Sequence, residues 1–249
     1  MISERTFNTL NRDFWRAVMP RSEQMTRLLN ASRKFVLPVF SGVSNAENRG
    51  LINEAATRLA HSAINCNCTV AALSDDHRRV ALDSAVKFIE RFRSGQSYHL
   101  ASLNSSDLNE SIIIAERLLE MFQLIGLSPN MFVRVPGAGI IDSCDVDGID
   151  GDVIIEIKAG NRNCRSEDIR QVLVYAALLE LGCRISRVRV VEILNPRLGW
   201  QVSSDVESLL EMAGCRSWGY FRSEFESYVV ESVHSHQFID KMIDPRPTL

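Results

Sequence analysis

Long apolar runs, paired cysteines, internal repeats and lysine are what this 249-residue chain has little of. No stretch approaches the roughly 18–20 apolar residues that cross a bilayer, which excludes a membrane span. The opening MISERTFNTLNRDFWR is too polar and charged for a signal peptide. Six cysteines stand at scattered positions. His61, Cys66 and Cys68 lack the second ligand pair that a zinc site would show, so the cysteines read as free thiols and the compartment as the cytoplasm. A net charge of −3 excludes a protein that coats nucleic acid broadly, but not an enzyme that binds it through a local patch. The basic residues are nearly all arginine; the lysines are Lys34, Lys87, Lys158 and Lys241. Lys158 is the one set in an apolar strand pattern, which singles it out, because a compact ammonium and a planar guanidinium are not interchangeable.

The stretch around Lys158 carries most of the information. Val153 to Lys158, VIIEIK, is a β-branched run and predicts a strand, yet it contains Glu156 and Lys158. Charges in such a place need a partner or a metal. Upstream, Ile140-Ile141-Asp142 is followed by the turn signals Asp147-Gly148 and Asp150-Gly151. A hairpin folded about Ile149 places Asp142 across from Glu156 on one face, with Lys158 one step along. Two carboxylates and an ammonium suit a hard divalent ion such as Mg²⁺, with the lysine free to act on a water or a phosphate. A bulge or shifted turn would move the register and make Asp145 the first acid instead. The acid-rich DVDGIDGD segment is not an EF-hand: counted from Asp145, position 6 is Asp150 where glycine is required.

Asp142 followed by Glu156-Ile157-Lys158 resembles the Asp…(Asp/Glu)-x-Lys signature of the PD-(D/E)XK nuclease superfamily, and Gln171-Val-Leu-Val-Tyr175 resembles the Gln-x-x-x-Tyr motif of its RecB-like branch. The resemblance covers roughly residues 105 to 200. It implies an α/β fold with a restriction-endonuclease-like αβββαβ core and a mixed central sheet. It further implies Mg²⁺ or Mn²⁺ held by Asp142, Glu156 and the Ile157 carbonyl, and Lys158 acting on the attacking water and the phosphate. Gln171 would position Lys158 or a phosphate, and Tyr175 would support the helix or contact the backbone. The superfamily often adds a glutamate from the helix before the sheet; Glu116 is the candidate, a plain surface glutamate being the other reading of it.

The remainder reads as helices around that core. Helices are expected over Thr6–Met19, Ser22–Lys34, from Ser44 or Asn45 through Ile64, from Asp75 or Ser74 to near Ser94-Gly95, and over Leu103–Ile125. In the last of these Leu108, Ile112, Ala115, Leu119 and Phe122 form the expected buried face, with Glu110 and Glu120 in solvent. Strands are expected at Met131–Val135 and Val188–Leu194, with a short one at Trp200–Val202, and residues 204 to about 242 are again helical. The division is a helical region over 1–100, a nuclease core over 101–202 and a helical region over 203–249 that packs on the core. Arg78, Arg79, Arg91 and Arg93 could touch a phosphate backbone, a solvated helix face being the alternative. The expected function is a metal-dependent nuclease acting on phosphodiester bonds, with DNA as the substrate; endonuclease or exonuclease action, RNA as substrate, and a protein partner or second copy stay open. The alternative from another class is a nucleic-acid-binding or assembly module on the same fold that no longer cuts.

Overall fold

The computed structural model of the chain describes residues 2–42, 47–92, 103–182 and 187–243. Helices α1 (Glu4–Leu10), α2 (Arg12–Val18) and α3 (Ser22–Ser32) lead into a two-residue strand β1 (Lys34–Phe35). Helices α4 (Arg49–Asn65), α5 (Asp75–Phe92) and α6 (Ser105–Ile125) follow. Then come β2 (Asn130–Val135), β3 (Cys144–Asp150), β4 (Val153–Ile157), α7 (Ser166–Gly182), β5 (Val190–Asn195) and β6 (Trp200–Asp205). The described chain closes with α8 (Val206–Ala213) and α9 (Trp218–Ile243). The strands form one six-stranded sheet in the order β1-β6-β5-β4-β3-β2. Among these strands only β4 and β5 run parallel, joined by the crossover helix α7, and every other strand pairing is antiparallel. The expected order helix, three strands, helix, strand is therefore present as α6-β2-β3-β4-α7-β5 in a mixed sheet.

Both faces of the sheet are covered, which is why β5 reads as a nearly continuous apolar run. On one face α7 packs with α1, α2, α3, α8 and α9, around Phe7, Trp15, Leu173, Leu178, Phe221 and Phe225. On the other, α4 and α6 pack around Ile52, Leu59, Leu118, Met121, Ile155 and Leu194. Each core joins residues from the first hundred positions to strand residues, so the N-terminal helices belong to the two layers rather than to a separate body. Trp218, Phe221 and Phe225 of α9 are buried, so the aromatic side chains of the C-terminal helical region pack on the core as expected.

Several local expectations shift for identifiable reasons. The Thr6–Met19 helix breaks at Asn11, whose side-chain Nδ2 donates to Phe7 O at 3.0 Å and competes with the helical ladder. The C-terminal helix is interrupted at Gly214, where φ of 82° ends α8 and the Gly214 and Cys215 N–H groups satisfy Glu211 and Leu210 carbonyls. Strand β1 is too short for a sequence pattern and exists because β6 offers an edge. In α6 the buried face turns toward Ile114, Leu118 and Met121, and Glu110 is buried against Arg197 rather than solvated. The expected helix start at Ser44 or Asn45, the helix end at Ser94-Gly95, Arg93, Cys183 and the boundary at residue 100 lie outside the described residues, as does the side chain of Arg91. Among the described residues no helix is long and apolar enough to cross a membrane.

Candidate active site

The β3–β4 hairpin decides which acid meets Glu156. Its tight turn is Gly151-Asp152, between the paired residues Asp150 and Val153. Gly151 sits at φ of 58°, the positive value that the first central position of such a two-residue turn requires. Gly148 is not a turn residue. It pairs with Ile155 inside the strand, and a Cβ there would meet Pro129 Cβ at 3.2 Å. The hairpin therefore folds between Gly151 and Asp152 rather than at Ile149, which moves the position opposite Glu156 by five residues, and Asp142 does not face it. Asp142 lies before β3, its N–H donating to Ile2 O at 2.9 Å, and its side chain stays on the lining of the cleft. Asp145, the alternative, pairs with Arg134 at 3.1 Å. The residue one step beyond the last β3–β4 pair, next to Glu156, is Asp147.

Asp147 also ends the pairing. Its Oδ2 accepts the Ile157 N–H at 2.7 Å, so a side chain takes the place of the next ladder bond. Strand β3 stays with β2 down to Cys144, and the sheet forks between β3 and β4. A cleft of about 400 Å³ opens at this fork, lined by Asp142, Asp145, Asp147, Glu156, Ile157, Lys158 and Tyr175. Helices α1 and α4 complete its walls with Glu4, Arg5, Asn53 and Glu54. Phe132, also on the wall, has a φ of 53°, a strained value for an aromatic residue, with the Arg58 guanidinium 4.0 Å from its ring centroid.

Lys158 is tied into this floor from two sides. Its Nζ donates to Glu156 Oε1 and, at 2.9 Å, to Gln171 Oε1, with Asp168 Oδ1 at 3.7 Å. Asp168 is itself clamped by Arg162 through bonds of 2.6 and 2.7 Å. Gln171 Nε2 donates to Tyr175 Oη at 2.6 Å, one helical turn along α7, so the two residues read from the sequence as one motif act as one chain of hydrogen bonds. Burial works against the ammonium, but Glu156, Asp168 and Asp147 outweigh it and hold the Lys158 pKa above its ordinary value. Burial, and next the Asp147 carboxylate, push Glu156 up to about 8 despite the pull of Lys158. Burial raises Asp147 as well, opposed by Lys158 and the Ile157 N–H. Two carboxyls that resist losing both protons mark a place short of positive charge.

Of the residues expected at the site, the fold brings Glu156, Ile157, Lys158, Gln171 and Tyr175 together. Glu116 is exposed on α6 and is not among the residues of the cleft wall. The helical acids on that wall are Glu4 of α1 and Glu54 of α4, the latter paired with Arg58 at 2.9 Å and raised in pKa by burial. Asp147, Glu4, Arg5 and Glu54 were not singled out as site residues by sequence; Asp147 stood out only as half of the turn signal Asp147-Gly148. His61, Cys66 and Cys68 form no metal group, and among the described residues no three His, Cys, Asp or Glu side chains converge for one. The fork nevertheless fits a divalent cation: Glu156 is 2% exposed and its Oε2 has no hydrogen-bond partner among the described residues. Two carboxylates and a main-chain oxygen suffice for Mg²⁺, which keeps waters and substrate oxygens in its remaining positions. A scan against models of known protein families finds no match for the chain, and searches of curated proteins and of solved structures find none either.

Proposed function

We propose that the chain is a metal-dependent nuclease that hydrolyses phosphodiester bonds, with DNA as its substrate, on a restriction-endonuclease-like core. The observation that carries this reading is the fork itself: a half-buried ammonium held between Glu156 and Gln171, beside a buried carboxylate oxygen with no hydrogen-bond partner among the described residues. The α6-β2-β3-β4-α7-β5 order supports the assignment of the core. Asp147 takes the role first given to Asp142.

Asp147 and Glu156, with the Ile157 carbonyl, would hold Mg²⁺ or Mn²⁺, which supplies Lewis acidity at a phosphate oxygen and a bound water of lowered pKa. Lys158 stays charged, so its ammonium orients the attacking water and offsets charge gathering on the phosphate. Gln171 and Asp168 keep that ammonium at the cleft floor. Arg5 and Arg134 line the same cleft and bring positive charge to phosphates on either side. The test is incubation of the purified protein with circular and linear DNA, and with RNA, in Mg²⁺, Mn²⁺ or EDTA. Metal-dependent cleavage of closed circles establishes endonuclease action, and cleavage of linear DNA alone indicates action from ends. No cleavage of any substrate with either metal rejects the reading in favour of a binding module.

A further inference from the structure

Gln171 can serve Lys158 only if its amide faces the right way. Lys158 has donors alone, so the oxygen must point at it and the NH₂ away. An amide is close to symmetric in shape, and its own helix does nothing to choose between the two orientations. From the far end of the amide, Glu4 reinforces the orientation that Lys158 requires. Its Oε1 lies 3.4 Å from Gln171 Nε2 and 3.3 Å from Tyr175 Oη, both of which donate to it. A carboxylate offers acceptors only, so Tyr175 spends its proton on Glu4 and leaves its oxygen to accept from Gln171 at 2.6 Å. With both of its donors directed at Glu4 and Tyr175, the amide presents Oε1 to Lys158 at 2.9 Å.

The placement of Glu4 is well fixed for such a task. Ile2 pairs with the loop before β3, donating to Ile140 O at 2.8 Å and accepting from Asp142 N at 2.9 Å. Ser3 caps α1, with its hydroxyl accepting the Thr6 N–H at 3.2 Å. Phe7, one turn on, is fully buried among Phe14, Trp15, Phe225 and Tyr228. Glu4 is thus held at 7% exposure against α7, with Arg5 Nε at 3.6 Å as its cationic neighbour.

We infer that Glu4 is a positioning residue that supports the direction of the hydrogen-bond chain Tyr175–Gln171–Lys158 and so reinforces the amide orientation on which Lys158 depends. This rests on the nuclease reading for its effect on rate, but not for its effect on Gln171.

The test combines an exchange of partners with a readout that needs no cleavage. Glu4→Gln keeps the shape of the side chain but lets an NH₂ face Gln171, so the orientation that Lys158 requires loses its support from the far end of the amide. Its kcat should fall about tenfold, with KM and Mn²⁺ affinity within twofold of the wild type. The double variant Glu4→Gln/Gln171→Glu restores an acceptor-only group opposite Lys158 and moves the donor to position 4, and should recover most of that loss. A merely structural role for Glu4 gives no reason for the second change to help. Independently, hydrogen exchange of the Gln171 side-chain amide, followed by NMR in the metal-free protein, should be at least tenfold faster in Glu4→Gln. Unchanged exchange overturns the inference, as does an unchanged kcat or a double variant that only adds the two losses. Wild-type protein that cuts nothing while the exchange rate responds as expected would sink the nuclease reading and leave the role of Glu4 standing.

Discussion

Replacing Glu156 with glutamine should make the metal-free protein more stable at neutral pH. Folding raises this carboxyl from its ordinary 4.5 to about 8, through burial first and Asp147 second. The folded state therefore holds the proton more tightly than the unfolded chain does. The stability that the neutral carboxyl contributes is complete below pH 4.5 and is lost as the pH rises through 8. At 1.36 kcal/mol for each unit of difference, the loss between pH 5 and pH 8 is on the order of 3 kcal/mol. Glu156→Gln keeps the shape and cannot ionise, so it escapes this loss. For a chain of this size that difference is worth about 6–12 °C in Tm. Urea unfolding in EDTA, at pH 5 and pH 8, measures it directly. The wild type should lose on the order of 3 kcal/mol more than the variant between the two pH values. Equal pH dependence in both proteins would show that Glu156 ionises freely, and the charge-poor fork on which the metal assignment depends would then be wrong.

Three further outcomes follow from the same geometry. Mn²⁺ binding must displace the proton that Glu156 keeps, so affinity should rise about tenfold per pH unit from 6 to 8 and level off above, with about one proton released per metal in calorimetry across buffers. Lys158→Ala should cut the cleavage rate by about 10²–10³ with metal affinity intact, and Lys158→Arg nearly as much, since a planar guanidinium cannot fill the place between Glu156 and Gln171; near-normal turnover in the arginine variant would refute the role. Glu110→Ala should cost about 3–5 kcal/mol in urea unfolding, because Arg197, 3% exposed and 2.6 Å from Glu110, would be left as a buried uncompensated charge behind Ala159 and Asn53; a loss under 1 kcal/mol would mean that water reaches the pair.

How much of this was legible in the chain depends on the range of the interaction. The strand around Glu156 and Lys158, the helix carrying Gln171 and Tyr175, and the strand-helix-strand crossover follow from local pattern and appear as expected. The hairpin register turns on which of two Asp-Gly pairs makes the turn. Pattern alone does not separate them, but Gly148 is occupied in close packing and, of the two, Gly151 has the positive φ, so Asp147 rather than Asp142 lies next to Glu156 in register. In α6 the wheel placed Glu110 in water because its partner, Arg197, is distant in sequence and no helical period announces it. Glu4 and Glu54 reach the cleft for the same kind of reason: α1 and α4 are delivered there by packing against α7 and α6, which no short-range signal encodes.

Cleavage of one labelled DNA at equal Mn²⁺ by the wild type, Asp147→Asn and Asp142→Asn tests the central claim most directly. The fork between β3 and β4 predicts that the wild type cuts, that Asp142→Asn cuts at a comparable rate, and that Asp147→Asn loses at least about 10² in rate. An inert wild type, or an Asp147→Asn protein that cuts normally while Asp142→Asn is dead, would contradict it.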